Sequence, residues 1–181
     1  MDQRTAARSA KLVCSSTLIP TPMPNQRPAT EADLADLWEL RTRAVRSSCA
    51  SHYPAEVIDT WCASPAPESL PRLVAAGGAL VAQENGRMLG YAILDLDSGE
   101  IDAVFVDPGQ QGRGVARRLL AALETMAVAR GIGRLFLSAS LNAVPFYQRA
   151  GFISLREEVY PHRSGIGLRS VFMEKLLART G

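Results

Sequence analysis

The segment VFVDPGQQGRGVARRLL, residues 104–120, constrains the fold most strongly. An apolar run stops at Asp107, glycines follow, and a helical pattern begins directly after them. A helix N-terminus has unpaired backbone N–H groups and a partial positive charge, and glycines let an anion approach those donors closely. Gly112, Gly114 and the charge of Arg113 therefore predict a phosphate cradle. A glycine-rich strand-to-helix turn without a ligand accounts for the glycines about equally well.

Two familiar nucleotide sites fit this segment poorly. It contains no G-K-[ST], so the lysine and hydroxyl of a P-loop are missing. Gly114 is followed by Val-Ala-Arg-Arg, which departs from the G-x-G-x-x-G of a dinucleotide site. The preceding strand is also the third of a predicted meander and does not open a βαβ unit. An ATP- or NAD-binding domain is therefore a weaker interpretation, which a comparison of ligand affinities would test.

Composition narrows the class of protein. The chain has 181 residues, 47% of them hydrophobic, which suits one domain with a real core. A net charge of +2 gives no argument for a nucleic-acid or membrane partner, and no apolar run reaches the ~20 residues that cross a bilayer. The 3 cysteines form no CxxC, so we expect thiols in a reducing, cytoplasmic setting and neither a disulfide framework nor a metal site.

The N-terminal segment differs from the rest of the chain. Residues 1–22 are basic at their start and rich in Ser, Thr and Pro, which predicts a flexible extension or an arm packed on a partner. A signal or transit peptide has weaker support, because a long apolar stretch is missing. The sequence thus predicts an extension at 1–22 and one domain at 23–181, and it leaves a homodimer open.

Hydrophobic periodicity predicts the order of the elements. Two helices come first, and three apolar runs follow at 79–84, 87–96 and 100–106, separated by turn signals typical of hairpins. A helix begins near residue 115, and strand, short helix, strand and strand complete the chain. The prediction is a mixed α/β (α+β) fold whose front half is antiparallel, unlike a strictly alternating doubly wound fold.

Two motifs resemble a known family. Residues 111–116, QGRGVA, match the Q/R-x-x-G-x-G/A signature of the GNAT superfamily of N-acetyltransferases, and residues 146–152, FYQRAGF, resemble its FYxxxGF element. The spacing between them accommodates one helix, one strand and one short helix, as in that fold. The resemblance covers roughly residues 24–178. SHYPAEVIDTW and VPFYQRAGF are also similar to small bacterial acetyltransferases of the YafP-like kind.

This resemblance implies a fold and a co-substrate. The fold is a central, mostly antiparallel sheet, splayed between its fourth and fifth strands and flanked by about four helices. The co-substrate is acetyl-CoA, with its pantetheine arm along the fourth strand and its pyrophosphate on the glycine loop. Ser140 stands where many relatives have asparagine, and Asn142 is shifted by two positions. The residues implied in binding acetyl-CoA are Val104, Phe105, Val106, Gln111, Gly112, Arg113, Gly114, Val115, Ala116, Ser140 and Asn142.

The resemblance also implies catalytic roles. Tyr147 stands where the family has its general acid, although a core tyrosine is the alternative. Glu100, on the predicted fourth strand, is the preferred general base, and Asp102 is expected on the same face because strand side chains repeat every second residue. The alternatives are that both carboxylates are solvated strand-edge groups, or that water serves as the base.

The connection between the first two helices would cover the acceptor pocket in such a fold. Ser48, His52 and Tyr53 are its candidate substrate-binding residues, while His162 and Arg163 could reach the same pocket from the last hairpin. The predicted function is acetyl transfer from acetyl-CoA to a primary amine, of a small molecule or a peptide, by direct attack in a ternary complex. The alternative is an acyl-CoA-binding sensor that has lost turnover.

Overall fold

The computed structural model describes residues 24–178. The predicted extension at 1–22 lies outside this range, and the single domain at 23–181 stays a prediction. None of the helices within the described residues is long and apolar enough to cross a bilayer.

Strands in the described part of the chain form two antiparallel sheets. The first sheet has the order β1-β2-β3-β4, and the second has the order β5-β7-β6. The three predicted apolar runs are β2, β3 and β4, which confirms the antiparallel front half. The strands are β1 (Asn25–Pro28), β2 (Ala79–Glu84), β3 (Arg87–Leu94), β4 (Ile101–Val106), β5 (Arg134–Ser140), β6 (Ile153–Pro161) and β7 (Gly167–Leu176).

Five α-helices flank these sheets within the described residues, where about four were predicted. The additional helix is α3, which follows a proline-rich stretch of the sequence. Its Pro71 lies in the first turn, where proline is tolerated because those N–H groups have no intrahelical partner. The helices are α1 (Leu34–Ser48), α2 (Ala55–Ala63), α3 (Ser69–Ala75), α4 (Val115–Ala129) and α5 (Val144–Arg149).

The first sheet has a hydrophobic core on each face. On one face, Leu119 and Leu123 of α4 are fully buried against the sheet and β5. On the other face, Leu37 and Leu40 of α1 pack with residues of α3 and with Tyr91 of β3. Both helices bury side chains at the spacing of an amphipathic helix. Burial on both faces holds β4 firmly between α1 and α4.

In the described part of the chain, backbone pairing joins the two sheets at one point, near the start of β4 and β5. Glu100, just before β4, forms an isolated parallel bridge with Phe136 of β5. The backbone N–H of Phe136 donates to the carbonyl oxygen of Gly99 at 3.2 Å. β4 and β5 are the edges of their own sheets, so they separate beyond this bridge. The predicted splay between the fourth and fifth strands is thereby confirmed.

Candidate active site

A cleft of about 610 Å³ opens where β4 and β5 separate. It is lined by α1, the start of α4, α5, the two edge strands and the hairpin that joins β6 to β7. Most of the sequence-predicted site residues line it together. They are Ser48, Tyr53, Glu100, Asp102, Val104, Phe105, Val106, Gln111, Ala116, Ser140, Asn142 and Tyr147.

The edge of β4 contributes backbone groups to this cleft. Val104 pairs with Ala92 and Phe105 with Tyr91 on the β3 side. On the opposite side of β4, no strand of the described residues pairs with it after the bridge at Glu100. An unpaired strand edge presents N–H and C=O groups that can bond to an extended chain lying alongside it. A molecule with amide groups can therefore bind along this edge in the way that an additional strand would.

A β-bulge at Asp102 redirects the side chains of β4. Ile93 pairs with Ala103 and the next residue of β3 pairs with Ile101, so Asp102 is the extra residue. Ile101 consequently packs in the core on the α4 side, whereas Ala103 packs on the α1 side. Glu100 and Asp102 do line the same cleft. The prediction rested on side chains that alternate regularly along the strand. That reason was wrong, because the bulge interrupts the alternation.

The glycine loop leads into α4 as the sequence predicts. Gly114 is the N-cap of α4 and has a φ of 74°, and Gly112 has a φ of 78°. Both values lie in the left-handed region that favours glycine. A Cβ at either position would meet no atom of the described residues within 4 Å, so these residues leave space beside the loop. Because Gly114 has no side chain to cap the helix, the first N–H groups of α4 remain available to an anion.

Arg113 is paired with an acidic side chain of β2. It lies outside the cleft lining, and its guanidinium donates to both carboxylate oxygens of Glu84, at 3.0 and 3.3 Å, and to the side-chain carbonyl of Gln110. Glu84 thus pairs the charge of Arg113 in this structure, and the contribution of that charge to the cradle stays a prediction. Val115 is buried in the core, so only its backbone can contribute to the loop.

Tyr147 lies in α5 with only 7% of its surface exposed. Its ring packs edge-on against Phe146 and Phe152, with ring centroids 5.0 and 5.5 Å away. Burial raises the pKa of the phenol well above its usual value, which keeps the hydroxyl protonated. That hydroxyl has no hydrogen-bond partner among the described residues, so it is available as a donor to a molecule in the cleft.

The two carboxylates on and before β4 both have raised pKa values. Burial is the main cause at Glu100, followed by the negative charges of Asp102 and Asp95. Burial also dominates at Asp102, where Asp95 raises the pKa and Arg72 lowers it. Asp102 has solvent access along the concave cleft, yet protein surrounds it closely enough to disfavour its charge. Both groups are thus stronger bases than ordinary carboxylates.

Hydrogen bonds hold the predicted acceptor-side residues in place. The side-chain amide of Gln111 donates to Oγ of Ser48 at 3.0 Å, which ties the glycine loop to the end of α1. The hydroxyl of Tyr53 donates to the carbonyl oxygen of Arg169 at 2.6 Å and accepts from the N–H of Leu141 at 2.9 Å. Tyr53 lines the cleft. Its hydroxyl forms the two hydrogen bonds that connect β7 to the β5–α5 connection.

His52, a predicted substrate-binding residue, does not line the cleft. It is exposed, and its Nδ1 lies 2.9 Å from Oγ of Ser51. The turn after α1 brings the N–H of Tyr53 to the carbonyl oxygen of Cys49 at 3.1 Å, so the turn buries Tyr53 and leaves His52 outside. Asn142 lies at the inner side of the same turn, where it accepts a hydrogen bond from Cys49 Sγ at 3.3 Å.

Arg41 was missed by sequence analysis, although a signal was present. It stands four residues after Leu37 and three before Ala44, on the apolar stripe of α1, where a charged residue is unusual. It is 3% exposed and lines the cleft. Its Nη1 donates to the carbonyl oxygen of Trp61 at 3.1 Å. No carboxylate within the described residues pairs with it.

Ser170 of β7 was also missed. Its Oγ is fully buried and is the one such side-chain atom without a hydrogen-bond partner in the described part of the chain. It lines the cleft and lies in register with Ser140 of β5. Nothing in the sequence distinguishes it from other strand serines, because its place in the cleft lining depends on the separation of β4 and β5. Among residues 24–178, no cluster of three or more His, Cys, Asp or Glu residues could hold a metal ion.

Comparisons with known proteins agree with this geometry. Residues 49–177 match the family described as the acetyltransferase (GNAT) domain. The N-acetyltransferase YafP of Escherichia coli is 29% identical over 126 residues, which are 70% of this chain and 79% of YafP. This relative confirms the predicted YafP-like resemblance.

Solved structures give the same result. A GCN5-related N-acetyltransferase from Rhodopseudomonas palustris is 27% identical with a TM-score of 0.73, covering 86% of this chain and 97% of that one. The PaiA N-acetyltransferase from Thermoplasma acidophilum, in complex with coenzyme A, shares the fold with a TM-score of 0.67 at 21% identity, over 84% of this chain and 98% of its own. The chain therefore belongs to the GNAT family and is an N-acetyltransferase.

Proposed function

We propose that the protein transfers the acetyl group of acetyl-CoA to a primary amine by direct attack in a ternary complex. One observation carries the proposal. A single cleft brings together the unpaired edge of β4, the glycine-capped N-terminus of α4, two carboxylates and the hydroxyl of Tyr147. Each of these features meets a different chemical requirement of the reaction.

Acetyl-CoA fits the first two features. Its pantetheine arm contains amides, which bond to the backbone of Val104, Phe105 and Val106 along the open edge of β4. Its pyrophosphate binds the N–H groups between Gln111 and Ala116, where the dipole of the 15-residue helix α4 favours negative charge. The side chains of Ser140 and Asn142 face the same cleft and offer further polar contacts to the arm.

The amine must lose a proton before it attacks. An alkyl amine with a pKa of about 10.4 is mostly protonated at neutral pH and has no free electron pair. Glu100 accepts this proton, directly or through a water molecule, and its raised pKa makes it a better base than an ordinary glutamate. Asp102 is the alternative base, since it lines the same cleft and its pKa is also raised.

The departing thiolate needs a proton in turn. As the amine nitrogen forms its bond to the acetyl carbon, the carbon–sulfur bond breaks and negative charge develops on sulfur. Tyr147 donates its phenolic proton to that sulfur, and burial keeps the phenol protonated until then. A backbone N–H of β4 at the open edge stabilises the oxyanion of the intermediate.

The acceptor amine enters from the α1 side of the cleft. Ser48 and the ring of Tyr53 line this entrance. The hydrogen bond from Gln111 to Ser48 connects the entrance to the glycine loop that binds the pyrophosphate. The proposed acceptor is an amine of a small molecule or a peptide. Cytoplasmic location and a homodimer stay predictions.

Release of free thiol from acetyl-CoA, measured with and without a panel of amines, tests the proposal. Amine-dependent thiol release together with a product 42 Da heavier than the amine, the mass of an acetyl group in place of a hydrogen, is expected. Tight binding of acetyl-CoA with no transfer to any amine would instead indicate the acyl-CoA sensor.

A further inference from the structure

We propose that the acceptor carries a carboxylate besides its reacting amine, so that amino acids, or small molecules of similar charge, are the substrates. This inference rests on the proposed function, because it names the acceptor class of the same cleft. It is carried by a buried arginine in the cleft wall that no carboxylate of the described residues pairs with.

Arg41 is a buried cation without a partner anion among residues 24–178. A guanidinium has five N–H donors and stays charged at any physiological pH. Only one hydrogen bond, to the carbonyl oxygen of Trp61 at 3.1 Å, is formed to the described residues. The planar group stacks on Trp38, 4.4 Å from the ring centroid, and approaches Trp61 at 5.5 Å. Burying a charge without a counter-ion is costly, so an anion that enters the cleft would offset the cost.

A second cation lies against the same tryptophan, Trp38. The guanidinium carbon of Arg163, in the β6–β7 hairpin, is 5.4 Å from the ring centroid of Trp38. Arg163 lines the cleft, and no acidic side chain of the described residues forms a salt bridge with it. Burial lowers the pKa of Arg41 most, and the positive charge of Arg163 lowers it further, as expected for two cations in close range. A carboxylate held by both would replace this repulsion with two attractions.

The cleft lining also contains two acidic side chains, Glu100 and Asp102. Burial raises the pKa of Tyr160 most, and the negative charges of Glu100 and Asp102 raise it further, so both carboxylates lie near Tyr160. Tyr91 lies within electrostatic reach of both kinds of charge: after burial, which raises its pKa most, Arg41 lowers the pKa and Asp102 raises it. The cleft lining therefore carries both cationic and anionic side chains, with Arg41 and Asp102 each within electrostatic reach of Tyr91. An amino acid matches this polarity, with its ammonium group at the carboxylates and its carboxylate at the arginines.

Other acceptor classes fit this polarity less well. A polyamine or an aminoglycoside would bring additional positive charge towards Arg41 and Arg163. A lysine side chain within a protein carries no carboxylate close to its amine, so it would leave Arg41 unpaired. Sites built around a buried polar group reject ligands that lack the matching group, because the protein group then stays unpaired.

The test uses matched ligands. The L-amino acids, their carboxamides and the corresponding decarboxylated amines are assayed as acceptors with acetyl-CoA, and their binding to the CoA-saturated protein is measured by calorimetry. We expect at least one acid to exceed its own amide by about 30-fold or more in kcat/KM and in affinity, since a charge-assisted bidentate contact is lost in the amide.

Substitutions of Arg41 and Arg163 test whether these side chains cause the preference for the acid over its amide. Arg41→Met should remove the preference for acid over amide and raise the KM for acids without lowering the melting temperature, because an apolar side chain replaces an unpaired buried charge. Arg163→Gln, at an exposed position, should weaken the preference by several-fold and fold normally. The matched control is Arg46→Met, in the same helix but outside the cleft, where Arg46 pairs with Asp59 at 2.8 Å.

The outcomes separate the two proposals. Amides and decarboxylated amines that react as well as the acids would overturn this inference and leave acetyl transfer intact. Arg41-dependent binding of an acid without turnover would support the inference and count against the proposed reaction. An acid preference that persists in Arg41→Met, or no acid that binds more tightly than its amide, would overturn the inference as well.

Discussion

Glu100 and Phe136 form the bridge at which the two sheets of this acetyltransferase join, and the active-site cleft opens directly beyond it. Gly99, which directly precedes this bridge, has a φ of 83°. A Cβ at Gly99 would lie 2.5 Å from the carbonyl oxygen of Arg134. This short approach lets β4 and β5 meet at one end and separate at the other.

Replacement of Gly99 should therefore be costly. We expect Gly99→Ala to lower the free energy of unfolding by roughly 2–4 kcal/mol, which combines the cost of a left-handed alanine with the collision against backbone. Urea denaturation measures the change. Gly86→Ala is the control, because Gly86 has a φ of 75° but no atom within 4 Å of its Cβ position, so it should lose only about 1 kcal/mol. Equal losses for the two variants would contradict the close approach at Gly99.

Gly114→Glu should abolish binding of coenzyme A. The substitution puts a carboxylate beside the first N–H groups of α4, where it repels the pyrophosphate and fills the open space. We expect affinity to fall by about 100-fold or more, roughly 2.7 kcal/mol. Gly131→Glu is a matched control at the other end of the same helix, with a φ of 73° and equally open surroundings. If calorimetry finds unchanged affinity for Gly114→Glu, the cradle does not hold the pyrophosphate.

Tyr147→Phe should slow transfer and preserve binding of acetyl-CoA. The change removes only a hydroxyl that has no partner among the described residues, so the packing of the ring and the melting temperature should stay the same. We expect kcat to fall by about 100-fold, as is typical when a general acid is lost. A steady-state rate equal to that of the wild type would exclude Tyr147 as the acid.

Glu100→Gln should change the pH dependence of the rate. A general base works only when deprotonated, so activity rises with pH through the pKa of Glu100, which lies above the ordinary glutamate value. The glutamine variant should lose this acidic limb and most of its activity. A pH–rate curve identical to the wild type would assign the base to Asp102 or to water, and Asp102→Asn would distinguish the two.

Local sequence signals predicted much of this fold. The turns at Asn85-Gly86 and near Gly99 delimit β2, β3 and β4, because hairpin turns need residues that tolerate positive φ, and both residues of the first turn have it. The loop before α4 was predictable for the same reason. Two short motifs then sufficed to identify the family, which in turn implied the splay between β4 and β5.

The remaining features depend on tertiary contacts that no local pattern encodes. The bulge at Asp102 is decided by pairing with β3, and the pairing of Arg113 with Glu84 joins residues far apart in sequence. His52 and Tyr53 are adjacent, and only the geometry of the turn decides which is buried. Arg41 differs, because its place on an apolar helical stripe was visible in the sequence.

The central claim is that coenzyme A lies along β4 with its pyrophosphate at the start of α4. A titration of ¹⁵N-labelled protein with coenzyme A, followed by amide chemical shifts, tests it most directly. We expect the largest shift changes at residues 104–106 and 111–116, with small changes on β1 and the far end of α4. Saturating binding that leaves the amides of residues 111–116 unshifted would contradict this claim.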